Sequence, residues 1–167
     1  MKRILLVVVV LILSISSLLA TVSPALACEP CRWTGGGTIN TGADFPSGVR
    51  VTHGFELHCD LDEPNNLEVN WGGNHFHLSE LTWALCNYDP TKPGPGHPKV
   101  LCNEIYGRGI GKFNGTDGYK IFFWFTDGGE PGVNDWAQIR ITDPADHPIL
   151  FVEGYLTHGN HQAHKGK

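Results

Sequence analysis

The chain has 167 residues, 17 acidic against 12 basic, for a formal net charge of −5 with neutral histidines. No run of Lys or Arg offsets that balance, which excludes a nucleic-acid binder dependent on phosphate attraction. The length suits one domain around a single core.

Lys2 and Arg3 open the chain, Ile4 to Ala20 is almost wholly apolar, and Ala25-Leu26-Ala27 has the A-x-A form of a cleavage site. These are the three parts of a signal peptide, so residues 1–27 are expected to be removed. The apolar run is short for a membrane span. Lipidation at Cys28 is the minor alternative, because Leu26 stands one place too late for a lipobox. What remains, residues 28–167, is expected to be a single secreted or cell-surface domain with no membrane span. All five cysteines (Cys28, Cys31, Cys59, Cys86, Cys102) fall within it. Export permits disulfides, and an odd count leaves one thiol free, intermolecular or metal-bound.

Arg32–Asn40 (RWTGGGTIN) reads as a Gly-rich, bent first strand. From Val49 to Cys59 the residues Val49, Val51, His53, Phe55, Leu57 and Cys59 share one parity. Alternation of this kind marks a half-buried strand. The acidic segment Asp60–Asn66 leads into a third strand with Leu67, Val69 and Trp71 in phase, and Gly72-Gly73 supplies a tight turn into a fourth ending at Cys86. Asn87–Lys99, rich in Pro and Gly, is a loop. Leu101–Phe113 carries Gly107, Gly109 and Gly111 on one face, which calls for a closely packed neighbour. In Tyr119–Asp127 the residues Tyr119, Ile121, Phe123 and Phe125 face the core, with Phe122 and Trp124 opposite. Asp127–Asn134 is a turn-rich loop. Trp136–Thr142 and Ile149–Thr157 follow, and residues 158–167 read as a flexible tail.

The pattern predicts an all-β domain of about eight antiparallel strands forming a small barrel or sandwich. If each strand traverses the domain, the loops at Asp60–Asn66, Asn87–Lys99 and Asp127–Asn134 share one end, and all five cysteines gather there.

The segments GGGTI (Gly35–Ile39), HGFELHCD (His53–Asp60), NNLEVNWGGNHFHL (Asn65–Leu78), DGGEPGVND (Asp127–Asp135) and GNHQAH (Gly159–His164) resemble the post-COAP-type family of exported bacterial and archaeal modules. That resemblance implies an extracellular β module of no established activity and supplies no catalytic residues. It also implies pairing of the cysteines matching Cys59 and Cys86, while a plain hairpin across the Pro/Gly loop favours Cys86 with Cys102.

Four constellations could carry chemistry. His75-x-His77 with Glu80 is a short match to a cupin metal set, although a solvated strand face explains the same residues. Asp127, Glu130, Asn134 and Asp135 offer oxygen ligands for calcium, against a reading in which they only make the turn. Phe122, Trp124, Trp136 and Tyr155 could form an aromatic strip for an extracellular carbohydrate or protein partner, or be covered in a two-layer sandwich. Cys28 and Cys31, with His161 and His164, have suitable chemistry for zinc, although an oxidising compartment favours disulfide. No G-x-S-x-G is present, and only Ser47 and Ser79 lie beyond the leader, so a serine hydrolase is not expected. The sequence thus points to a binding, adhesion or structural module without catalysis. The alternative is a metal-dependent enzyme using histidines and acids at one end of the barrel.

Overall fold

The computed structural model describes residues 31–40, 42, 44–91 and 102–166, so the leader, Cys28 and most of the Pro/Gly loop lie outside it. The described chain is all-β. Nine antiparallel strands form one sheet: β1 (Cys31–Asn40), β2 (Arg50–His58), β3 (Asn66–Trp71), β4 (Asn74–Asn87), β5 (Glu104–Phe113), β6 (Thr116–Thr126), β7 (Trp136–Thr142), β8 (Pro148–Tyr155) and β9 (His158–Lys165). Their order across the sheet is β8-β7-β6-β5-β4-β3-β2-β1-β9.

That order forces the sheet to curl. Laid flat, its outermost strands would lie roughly 38 Å apart at the usual spacing. Yet β8 and β9 are joined by Leu156 and Thr157 alone, a link that spans about 10 Å at most. The sheet accordingly curls into a half-barrel and brings its edges together. Since every neighbouring pair is antiparallel, β8 and β9 run in the same direction. They act as one long strand that pairs first with β7 and then with β1. The β1–β9 register, from Cys31↔Lys165 to Thr38↔His158, would place Phe45 opposite Phe151 if continued without a shift. That bridge is present, with Phe45 N–H donating to Phe151 O (3.2 Å) and Phe151 N–H to Phe45 O (2.7 Å).

The expected tail is therefore corrected: residues 158–165 are a ninth strand. HGNHQAHK has little apolar character to announce it, and pairing with β1 makes it a strand. The eight expected strands are all present.

The concave side is the core. Trp33, Leu57, Phe76, Ile105, Phe123, Phe125, Ile139 and Leu150 are fully buried, each contributing about 1.5–3 kcal/mol by leaving water, before entropy is counted. The glycines of β5 make room for this core. A Cβ on Gly107 would stand 2.0 Å from Phe123 Cζ, and one on Gly111 would stand 2.2 Å from the carbonyl oxygen of His77.

Cys59 and Cys86 form one disulfide and Cys31 and Cys102 the other. The hairpin alternative Cys86–Cys102 does not form. A regular meander would hold β2 and β4 apart by the width of β3, but β3 has only six residues against fourteen in β4. Beyond the start of β3 the ends of β2 and β4 meet, with Cα atoms 5.9 Å apart, within bridging distance. The four described cysteines lie at one end, as the strand alternation requires.

Candidate functional site

The outer face of β4–β8 carries a surface that the core pattern generates as its complement. Where Ile105, Gly107, Ile121, Phe123, Ala137 and Ile139 point inward, the intervening residues must point outward. Cross-strand pairing then writes them in rows. Leu85 lies opposite Tyr106, Tyr106 opposite Trp124, and Trp124 opposite Gln138. In the next row Trp83 lies opposite Arg108, Arg108 opposite Phe122, and Phe122 opposite Arg140. Directly opposed side chains on one face are close enough to pack.

Within these rows Tyr106 stacks on Trp124 with ring centroids 5.3 Å apart, and the Arg108 guanidinium sits 5.5 Å from the Trp83 ring centroid. Both are favourable aromatic geometries. Trp83 and Leu85 remain 43% and 50% exposed, so the rows are not covered by the rest of the described chain. The Tyr106 hydroxyl donates to Glu104 Oε2 (3.1 Å), and partial burial with that carboxylate beside it pushes the phenol up to about 12. It stays a neutral donor.

Beside the rows is an open depression of about 730 Å³, bounded by Ile110, Phe122, Arg108, Lys120, Arg140 and Asp146 among others. Three cations meet one carboxylate there, and Lys120 Nζ pairs with Asp146 Oδ1 at 2.8 Å. On a chain of net charge −5 this is a local reversal of sign. Rings and cations together can hold a flat, anionic ligand.

All four aromatics expected to share a strip, Phe122, Trp124, Trp136 and Tyr155, lie on this outer face. Trp136 and Tyr155 form a separate edge-to-face pair 5.2 Å apart. Trp83, Tyr106 and the cations escaped the sequence reading. Two register shifts in β4, at Leu78/Glu80 and Leu81/Trp83, break the alternation that would have assigned Trp83 a face.

At the barrel end the acids of the 127–135 loop have a different setting. Among the described residues the edge of β9 away from β1 has no neighbouring strand, yet two of its N–H groups are satisfied by side chains. His161 N–H donates to Asp135 Oδ2 (2.6 Å), and Ala163 N–H to Asp127 Oδ2 (2.9 Å). Asp135 Oδ1 accepts from Gly128 N–H, and Asp127 Oδ1 from Gly129 N–H. Glu130 Oε1 accepts from Asn160 Nδ2 and Gln162 Nε2, both at 2.9 Å. Asn134 is exposed in a short 3-10 turn. The loop thus substitutes for the missing strand. Burial pushes the Asp135 carboxyl up to about 7 despite the two N–H donors that oppose it, with Asp127 and Glu130 adding to the rise.

Below the loop, His161 Nδ1–H donates to the Thr126 carbonyl (3.0 Å), which can only accept. Its Nε2 therefore carries the lone pair and accepts from His53 Nε2–H at 2.8 Å. His53 Nδ1 is buried without a hydrogen-bond partner among the described residues. Phe125 stacks on the His53 ring, centroids 5.1 Å apart.

The set proposed for zinc is not assembled. Cys31 is bonded to Cys102, and Cys28 lies outside the described residues. His161 points into the core, whereas His164, three residues on and so on the other face of the strand, pairs with Thr34 Oγ1 at 2.8 Å. His75 and His77 do share a face, but the carboxylate they engage is Glu68 of the neighbouring strand. His75 Nε2 contacts Glu68 Oε2, and His77 Nδ1 contacts Glu68 Oε1. Glu68 is directly opposite His77 in the ladder; Glu80 pairs with Ile110 instead.

Comparison with protein-family models, with curated proteins and with solved structures finds no match to the chain.

Proposed function

We propose that the chain is an exported, non-catalytic β module that binds an acidic polysaccharide on the outer face of β4–β8. The observation that carries this reading is the placement of Trp83, Tyr106, Phe122 and Trp124 beside Arg108, Lys120 and Arg140. Aromatic faces stack on the C–H faces of sugar rings, and guanidinium groups take carboxylates in paired hydrogen bonds. The rows lie on paired strands rather than a mobile loop, which preorganises the surface. The basic start, apolar run and A-x-A of residues 1–27 support export.

Native gel electrophoresis through polygalacturonate tests the proposal. Migration should be retarded in the acidic polymer and unaffected by neutral dextran. Trp83→Ala and Arg140→Glu should each relieve the retardation while leaving the melting temperature within about 2 °C. Equal migration in both polymers would discard the reading.

A second reading, a metal-dependent enzyme, draws on one observation: His75 and His77 each contact an oxygen of Glu68 on one face. Two imidazoles and a carboxylate suit a transition metal with open positions. Metal analysis of the purified chain separates the readings. One tightly held ion per chain, lost in Glu68→Ala, would favour the enzyme.

A further inference from the structure

The two disulfides do not occupy separate parts of the molecule. Cys31 opens β1, Cys59 follows β2, Cys86 is next to last in β4 and Cys102 precedes β5. The Sγ atoms of Cys31, Cys86 and Cys102 all lie within 4.8 Å of one another, and Cys59 Sγ is bonded to that of Cys86. Three sulfurs thus form one group, and the fourth, from Cys59, is attached to it through Cys86. Cys31, Cys86 and Cys102 are 2%, 3% and 0% exposed.

We propose that this group is a second-state metal site: once both bridges are reduced, the four thiolates hold one zinc ion. A tetrahedral zinc with sulfur ligands at about 2.3 Å needs its sulfurs roughly 3.8 Å apart. Parting each bonded pair from its bridge length to that spacing takes about 1 Å of movement per sulfur, within the reach of χ1 rotation, and Cys59 must in addition swing toward Cys31 and Cys102. The backbone is already placed, with Cys31 and Cys102 Cα atoms 6.7 Å apart and Cys59 N–H donating to Cys31 O at 3.3 Å. Cys59 is half-buried, and with three buried sulfurs beside it the set has the four-thiolate composition of a structural zinc site, without an open position for chemistry. An entry path exists as well. A cleft of about 680 Å³ reaches Cys31 and is lined by Glu56, His58, Asp60 and Glu63, with Arg32 held by Glu56 at 2.9 Å.

The chemistry closes with a phosphine as reductant. At each bridge the phosphorus attacks one sulfur and the S–S bond breaks. Water then supplies the phosphine-oxide oxygen and the two thiol protons. Two phosphines reduce two bridges, and zinc displaces one proton from each of the four thiols.

The test uses the full chain, reduced anaerobically with a phosphine, freed of it and titrated with zinc or cobalt(II). The expected result is one metal per reduced chain, with thiolate-to-cobalt charge-transfer bands and tetrahedral d–d bands, and no such bands from the oxidised chain. Cys86→Ser and Cys102→Ser should each lose the charge-transfer bands. If the reduced chain unravels, zinc should restore its far-UV circular dichroism. Failure to restore it, no binding by a folded reduced chain, or bands persisting with all four cysteines replaced by serine would overturn the proposal. Polysaccharide binding by the oxidised chain is unaffected by either outcome.

Discussion

His53 donates through Nε2 to Nε2 of His161 at 2.8 Å, joining strands that lie 108 residues apart in the chain. Burial holds both imidazoles below their usual value, His161 at about 4 and His53 in the same direction, with His161 adding to its shift. The unfolded chain takes up protons from about pH 6.5 downward while the folded chain does not. Stability contributed by the pair is full above pH 6.5 and is lost as pH falls toward 4. His161 alone accounts for on the order of 3 kcal/mol over that window. Urea midpoints at pH 7.5 and 4.5 should show this fall, and His53→Phe should lessen it while leaving the part carried by His161.

Asp135 titrates with the opposite sign. Its carboxyl is raised from 3.8 to about 7, so the folded chain retains a proton that the unfolded chain has released. Its contribution is full below about pH 4 and is lost as pH rises through 7. Asp135→Asn keeps an acceptor and removes the ionisation. The stability gap between the parent chain and this variant should therefore shrink by about 2–4 kcal/mol from pH 4 to pH 8, read from urea midpoints.

Calcium and a chelator should give the same melting curve. The oxygens of Asp127 and Asp135 already accept backbone N–H groups, and Glu130 Oε1 accepts two side-chain amides. A cation would have to displace donors that hold β9. A rise in melting temperature, abolished in Asp127→Asn, would show that it does.

Gly111→Ala should be among the most damaging single changes in β5. The added methyl meets a carbonyl oxygen at 2.2 Å rather than a movable side-chain tip. Strand displacement of this kind costs about 3 kcal/mol or more. Thermal unfolding measures it.

Peptide mapping without reduction should recover Cys59 linked to Cys86 and Cys31 linked to Cys102. The bridges close separations of 27 and 71 residues. Chain entropy gives them about 3.5 and about 4.5 kcal/mol. Cys59→Ser with Cys86→Ser should thus cost slightly less than Cys31→Ser with Cys102→Ser.

The fold was legible wherever a strand buries one face. Val51, Phe55 and Leu57, and likewise Ile121, Phe123 and Phe125, announce their strands by alternation. His53, in phase with the apolar residues of β2, was visibly an interior group, but its partner was not. Contacts set by pairing between distant strands leave no local trace. Glu68 reaches His77 because β3 and β4 place them opposite each other, while Glu80, nearer in sequence on the far side, was the expected partner. β9 was illegible for a related reason: its strand state depends on pairing with β1, at the other end of the described chain, and its free edge on acids some thirty positions away. The aromatic strip was half legible, since β6 and β7 keep their alternation and β4 does not.

The long strand formed by β8 and β9 has a consequence for the order of assembly. During synthesis β1 emerges well before β9, and its outer edge waits for that strand. Until Gly159–Lys165 arrives, one row of β1 amides and carbonyls faces water or any passing strand. A chain cut short after Thr157 would contain eight of the nine strands and most of the core, yet stay open along that row. Its failure would be adhesive, through pairing with other copies, rather than a simple loss of folded content. A strand of mostly polar residues thus closes the row that would otherwise recruit other chains.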